Sequence, residues 1–100
     1  MISIYITCKD EKEAVKISEH LLKKRLIACS NMFPINSMYK WKGKLCDEAE
    51  VVLIAKSMGS KFESIKKEVM KLHSYELPCI EMIKSEANSD FENWVKKAIQ

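Results

Sequence analysis

Ile35-Asn-Ser-Met-Tyr-Lys-Trp41, Lys42-Gly43 and Lys44-Leu-Cys-Asp-Glu-Ala-Glu-Val-Val-Leu-Ile-Ala-Lys56 read as two extended arms joined by a two-residue turn. Ser37, Tyr39 and Trp41 fall on one face of the first arm at period two. Gly43 tolerates the positive φ that a tight hairpin turn needs. On the return arm Val51, Leu53 and Ala55 face away from Val52 and Ile54, so both faces are apolar and both are expected to be covered. Each arm runs to about ten residues or more, against about 5–6 for an ordinary strand. Ten extended residues reach about 33 Å, whereas a helix of about 13 residues spans only about 20 Å. The far end, carrying Met38, Tyr39, Trp41 and Leu45, therefore overshoots the body that bears it. An isolated two-stranded ribbon is marginal in water and its edges invite pairing. The hairpin is thus expected to pack on a neighbouring subunit in a closed ring rather than fold back on its own small sheet.

Upstream of the hairpin, Ile2, Ile4, Ile6 and Cys8 alternate with Ser3, Tyr5 and Thr7, which predicts a half-buried strand. Asp10 and Glu13 form a capping pattern, followed by a helical stripe of Ala14, Val15, Ile17, Leu21 and Leu22. Lys23, Lys24 and Arg25 suit the negative end of that helix. Ile27 to Phe33 is extended, and Pro34 predicts a bulge or bend at a sheet edge because it cannot donate to a ladder. Downstream, Ser60 with Glu63 predicts a capped helix bearing Phe62, Ile65, Val69 and Leu72. His73 to Pro78 reads as a loop, Cys79 to Lys84 as a short strand, and Asn88 to Gln100 as a helix capped by Ser89 with Glu92.

The resulting order, β-α-β-β-α-β-α, contains the ferredoxin-like split βαβ arrangement followed by an extra C-terminal helix. It predicts an α+β sandwich, one domain over residues 1–100, with a four-stranded antiparallel sheet, two helices on one face and a long β-hairpin.

Composition narrows the function. The chain is 47% hydrophobic and 31% charged, which is globular. No run approaches the roughly 18 apolar residues of a membrane helix, and the first residues lack a basic leader, so a cytoplasmic protein with no membrane partner is expected. Two glycines exclude the Gly-rich phosphate loops. The net charge of +3 is spread between interleaved signs, with no basic stripe for nucleic acid. Four cysteines, at 8, 29, 46 and 79, contain no Cys-x-x-Cys and are expected as free thiols.

Cys29, His73 and a carboxylate such as Glu76 offer donors suited to copper or zinc, although their spacing is not that of a ligand motif. Cys29 also reads as a small buried hydrophobe, His73 as a residue closing a helix end, and Glu76 as a surface carboxylate. A Cys29–His73 dyad would lack an oxyanion hole and an orienting third group, so no enzyme is expected.

The chain resembles the CutA family of divalent-cation tolerance proteins over nearly its whole length. The matching stretches are Ile4-Tyr-Ile-Thr-Cys8, Leu26-Ile-Ala-Cys-Ser-Asn31 with Pro34, Ser37-Met-Tyr-Lys-Trp-Lys-Gly43, Glu50 to Lys56, His73-Ser-Tyr-Glu-Leu-Pro78 and Phe91 to Trp94. The resemblance implies a homotrimer linked by its hairpins, associated with tolerance of copper and other divalent cations, without a settled enzymatic reaction. It implies that Cys29 and His73 contact metal; Glu76 is expected beside them as an oxygen donor. It also implies an inter-subunit cleft lined by Tyr39, Trp41, Glu50, Lys56, Tyr75 and Glu76, to which Cys79 is added. Ser74 stands where the family often has proline, and Cys79 where it usually has glutamate. That second exchange is expected to favour Cu(I), which a competition titration against Cys79→Glu tests. The alternative expectation is a PII-like sensor trimer that binds a small anionic metabolite in the cleft, with Lys56 supplying charge and Tyr75 or Trp41 a stacking face.

Overall fold

A computed structural model of the chain describes Met1 to Gln100. Its elements are β1 (Ile2–Cys8), α1 (Glu11–Lys23), β2 (Cys29–Trp41), β3 (Lys44–Ser57), α2 (Phe62–Leu72), β4 (Ile80–Lys84) and α3 (Ser89–Ala98). The sheet order is β2-β3-β1-β4, with every pair antiparallel, as the predicted ferredoxin-like order requires.

The period-two pattern of β1 decides where the core lies. Ile2, Ile4, Ile6 and Cys8 face the helices with Leu53 and Ala55 of β3. They pack on Ala14, Ile17 and Leu21 of α1 and on Ile65 and Val69 of α2. A smaller cluster joins Val95 and Ile99 of the C-terminal segment to Ala28, Met1 and Met58. The other face of the sheet is only partly covered. Val52 is buried there, but Ile54 is half-buried and Phe33 is exposed. The expectation that both faces of β3 are covered therefore holds for one face of the sheet and only in part for the other.

The hairpin is one unbroken ladder from the Cys29–Lys56 pair to the Trp41–Lys44 pair. Lys42 and Gly43 both take positive φ, 51° and 80°, as a tight turn between twisted strands demands. Pro34 makes no bulge. It pairs in register with Val51, and β2 is an edge strand, so its missing N–H falls on the open side. β1 pairs with Val51 to Ser57 and no further, so β3 from Lys44 to Glu50 has only β2 beside it. This two-stranded extension draws the molecule out to 45 Å along its long axis, against 25 and 21 Å across.

Local hydrogen bonding departs from the sequence pattern at two caps. Ser60 falls within a short 3₁₀ turn, Gly59–Lys61, and α2 starts at Phe62 with no side-chain cap. Ser89 is the first residue of α3 rather than its cap. Longer-range partners take the acidic member at the second site: Glu92 pairs with the N-terminal ammonium at 3.4 Å. Glu63 pairs with Lys66 at 3.1 Å on its own helix.

Candidate functional site

Two neighbourhoods gather chemically capable side chains, one on each side of the sheet. The first lies where β1 ends and α1 begins. The Asp10 carboxylate caps α1 by accepting from the Glu13 N–H at 2.8 Å. Glu13 then turns back, its Oε1 accepting from the Lys9 N–H at 2.9 Å. Its Oε2 accepts from the Ser74 N–H, also at 2.9 Å, which ties the loop after α2 to the start of α1. Burial works against the charge of Glu13, but the bonds from Lys9 and Ser74, with His73 nearby, outweigh it and hold the carboxyl below its ordinary range.

His73 follows α2 on the same loop. Its Nε2 donates to the Thr7 carbonyl at 2.8 Å, and its Nδ1 accepts from the Tyr75 N–H at 3.1 Å. Those two bonds set both tautomer and ring orientation. Next to Thr7 is Cys8, a fully buried thiol pushed up to about 12, by burial first and then by the charges of Glu13, Asp10 and Glu50. Ligand atoms of Cys8, Glu13 and His73 all lie within 4.8 Å of one another.

The second neighbourhood is a cleft of about 670 Å³ between the hairpin and the loop after α2. Thr7 forms its floor. Ser37, Met38, Tyr39, Trp41 and Glu50 form the hairpin wall, and Ser74, Tyr75, Glu76, Leu77 and Cys79 form the loop wall. Thr7, Ser37, Tyr39, Trp41 and Glu50 project from the sheet face opposite the helices, as the register requires. The Tyr75 hydroxyl donates to Glu50 Oε2 at 2.5 Å, and the Tyr39 hydroxyl to Glu48 Oε2 at 3.1 Å. Both phenols are raised above their ordinary range, by burial first and then by the carboxylate each one bonds. Burial, followed by the charges of Glu81 and Glu50, also raises the Cys79 thiol.

The residues singled out from the sequence divide accordingly. Tyr39, Trp41, Glu50, Tyr75 and Cys79 meet at the cleft, and Glu76 stands at its rim, 3.8 Å from Lys42 Nζ. That pair is largely exposed, where such contacts contribute little. Lys56 lies elsewhere, its Nζ donating to Ser3 Oγ at 2.8 Å. Cys29 pairs with Lys56, which pairs with Ser3, while His73 bonds Thr7. Ser3 and Thr7 are four residues apart on β1, or about 13 Å. A single chain therefore does not bring Cys29 to His73. The Cys29 thiol is raised by burial and drawn partly back by Lys56.

Cys8 and Glu13 were not singled out for chemistry from the sequence. Cys8 completes the apolar face of β1 and Glu13 completes a capping pattern, so each already had a structural reading. Only the Glu13–Ser74 and His73–Thr7 bonds, across 61 and 66 residues, bring the loop to them.

The chain matches the family model described as CutA1 divalent ion tolerance protein over residues 2–98. The Divalent-cation tolerance protein CutA of Archaeoglobus fulgidus is 39% identical over 98 residues, covering 97% of this chain and 96% of that one. The protein of the same name from Thermotoga maritima is 39% identical over 100 residues, covering 99% of each. Among solved structures, the periplasmic divalent cation tolerance protein CutA from Archaeoglobus fulgidus superposes with a TM-score of 0.96 at 38% identity over all of both chains. The apo form of the PII-like protein CutA from Nostoc sp. PCC 7120 superposes with a TM-score of 0.92 at 29% identity, covering 100% of this chain and 98% of that one. None of these names is that of an enzyme. No helix of this chain is long and apolar enough to cross a membrane.

Proposed function

This chain belongs to the CutA1 divalent ion tolerance family, and from that premise we propose that it is a non-enzymatic homotrimer that binds divalent metal ions, copper above all, in the response to those ions. The observation that carries the metal reading is the convergence of Cys8, Glu13 and His73. The donor set fits: a thiolate and an imidazole suit copper or zinc, and a carboxylate adds charge. Each Glu13 oxygen accepts one backbone N–H, and the Ser74 side chain bonds the same carboxylate, so an ion would take the remaining lone pair or displace that side chain. His73 would exchange one of its two present bonds, to Thr7 or from Tyr75, for ligation. Cys8 enters as a neutral thiol and must shed its proton, so uptake of an ion releases a proton and weakens as pH falls. An ion there would supply positive charge between the start of α1 and the 73–75 loop.

The proposed set keeps His73 from the sequence reading. Cys29 would join it only across a subunit boundary, Glu76 lies at the cleft rim outside this group, and Cys79 stands as a further soft donor at the cleft. What supports the trimer is the bare hairpin extension and the half-covered outer face of the sheet. The four free cysteines support a reducing compartment such as the cytoplasm. Anionic metabolites find little support, because Glu50 and Glu76 face the cleft while Lys56 bonds Ser3.

Isothermal titration with Cu(II), and with Cu(I) under a reductant, tests the reading. Cys8→Ser and His73→Ala are expected to lose at least about tenfold in affinity, with Cys29→Ser near the parent. Equal uptake by Cys8→Ser and the parent overturns the site assignment.

A further inference from the structure

Glu13 is the least available member of the Cys8–Glu13–His73 group. It is 7% exposed. Its Oε1 accepts the Lys9 N–H and its Oε2 the Ser74 N–H, each at 2.9 Å. The Ser74 hydroxyl bonds the same carboxylate. A carboxylate offers about four lone-pair sites, so these bonds leave about one free. They also hold the fold, because they join the start of α1 to the end of β1 and to the loop after α2. Every one of these contacts is made within one chain. Cys8 and Glu13 lie on the helical side of the sheet, not on the face that the proposed trimer covers.

Cys8 and His73 are the readier donors. Cys8 presents a sulfur, and His73 frees a ring nitrogen by giving up one of its two bonds. Neither change touches Glu13. A thiolate and an imidazole suffice for soft Cu(I). Zn(II) is ordinarily four-coordinate, and divalent ions gain from the charge of a carboxylate. At this site a divalent ion that draws on Glu13 must dislodge Ser74. Resting on the metal reading of this group, we propose that Ser74 sets which ion it takes: by engaging Glu13 it leaves Cys8 and His73 as a soft site that prefers Cu(I) over Zn(II). Ser74 is then a positioning residue that acts through Glu13 and touches no ion.

The test uses assembled, metal-free protein in a Cys29→Ser, Cys46→Ser, Cys79→Ser background, which leaves Cys8 as the only thiol. Cu(I) and Zn(II) affinities are each read anaerobically by competition against a chromophoric chelator. Ser74→Ala is expected to tighten Zn(II) by about tenfold, the effect of freeing one hydrogen bond to a charged group, and to leave Cu(I) within about threefold of the parent. Ser74→Thr keeps a hydroxyl and should bind both ions like the parent. Glu13→Gln should leave Cu(I) within about threefold. Zn(II) affinity unchanged in Ser74→Ala, an equal gain for both ions, or the same gain in Ser74→Thr overturns the proposal. So does a tenfold or larger loss of Cu(I) in Glu13→Gln, about 1.4 kcal/mol, since Glu13 would then be a ligand for that ion as well. If Glu13→Gln fails to fold, the Ser74 pair decides alone. Cys8→Ser separates the two readings. Cu(I) uptake that survives Cys8→Ser overturns the metal site and this proposal with it, whereas loss of uptake there with no Ser74 effect overturns this proposal alone.

Discussion

The two halves of the hairpin share one ladder and one register but not one environment. At the root, Cys29–Pro34 pairs with Val51–Lys56, β1 lies alongside, and α1 and α2 cover Leu53 and Ala55. Beyond Ile35 and Glu50 the same strands continue with no third strand, and Met38 and Leu45 are 69% and 68% exposed. Backbone pairing is alike in both halves, so burial separates them. The root is a structural sheet. The ribbon is a surface, and it carries the hairpin wall of the cleft.

Deleting residues 40–44 attacks the ribbon alone and has the largest expected effect on assembly. The proposed trimer should dissociate while each protomer keeps its root sheet. Sedimentation at an unchanged mass would mean that the ribbon does not join subunits.

Leucine truncation sharpens the contrast within a single strand. Leu53→Ala, at a fully buried root position, should cost about 2–5 kcal/mol in denaturant unfolding. Leu45→Ala in the exposed ribbon should change protomer stability by no more than about 0.5 kcal/mol, provided unfolding is followed in a dissociated protomer. Comparable losses at the two sites would erase the distinction.

The smallest effect concerns the helical layer that covers only the root. Glu68 on α2 meets His20 Nε2 of α1 at 2.8 Å, Lys24 at 3.2 Å and Lys71 at 3.1 Å. The His20 hydrogen bond, then those of Lys71 and Lys24, lower its carboxyl from 4.5 to about 2. A carboxyl lowered by folding gives stability that is complete above its unfolded value and fades as pH falls through the folded one. Stability should therefore drop between about pH 4.5 and 2, and Glu68→Gln should flatten that limb in pH-dependent thermal melts. An identical acid limb in the variant would show that Glu68 does not couple the helices.

Much of this was legible in the residues themselves. Period-two alternation at Ile2 to Cys8 and the helical stripes fixed the order of elements, because side-chain direction follows directly from backbone period. Lys42-Gly43 located the turn, since its conformation is local. The caps at Ser60 and Ser89 and the bulge at Pro34 were not legible. Residue type offers a local bond there, but the 3₁₀ turn at Gly59–Lys61, the Met1–Glu92 pair and the edge position of β2 decided otherwise. At the site, the aromatic and acidic residues of the cleft followed from the family pattern. Cys8 and Glu13 stayed hidden behind adequate structural roles.

By itself, then, the sequence determined the elements, the hairpin's excess length and the family, because each rests on local periodicity or on ordered motifs. Only the tertiary structure decided that Cys8 rather than Cys29 stands beside His73, that Lys56 bonds Ser3, and that Ser74 holds Glu13. Those facts depend on strand order and on which sheet face each residue takes, and contacts across more than 60 residues leave no trace in spacing.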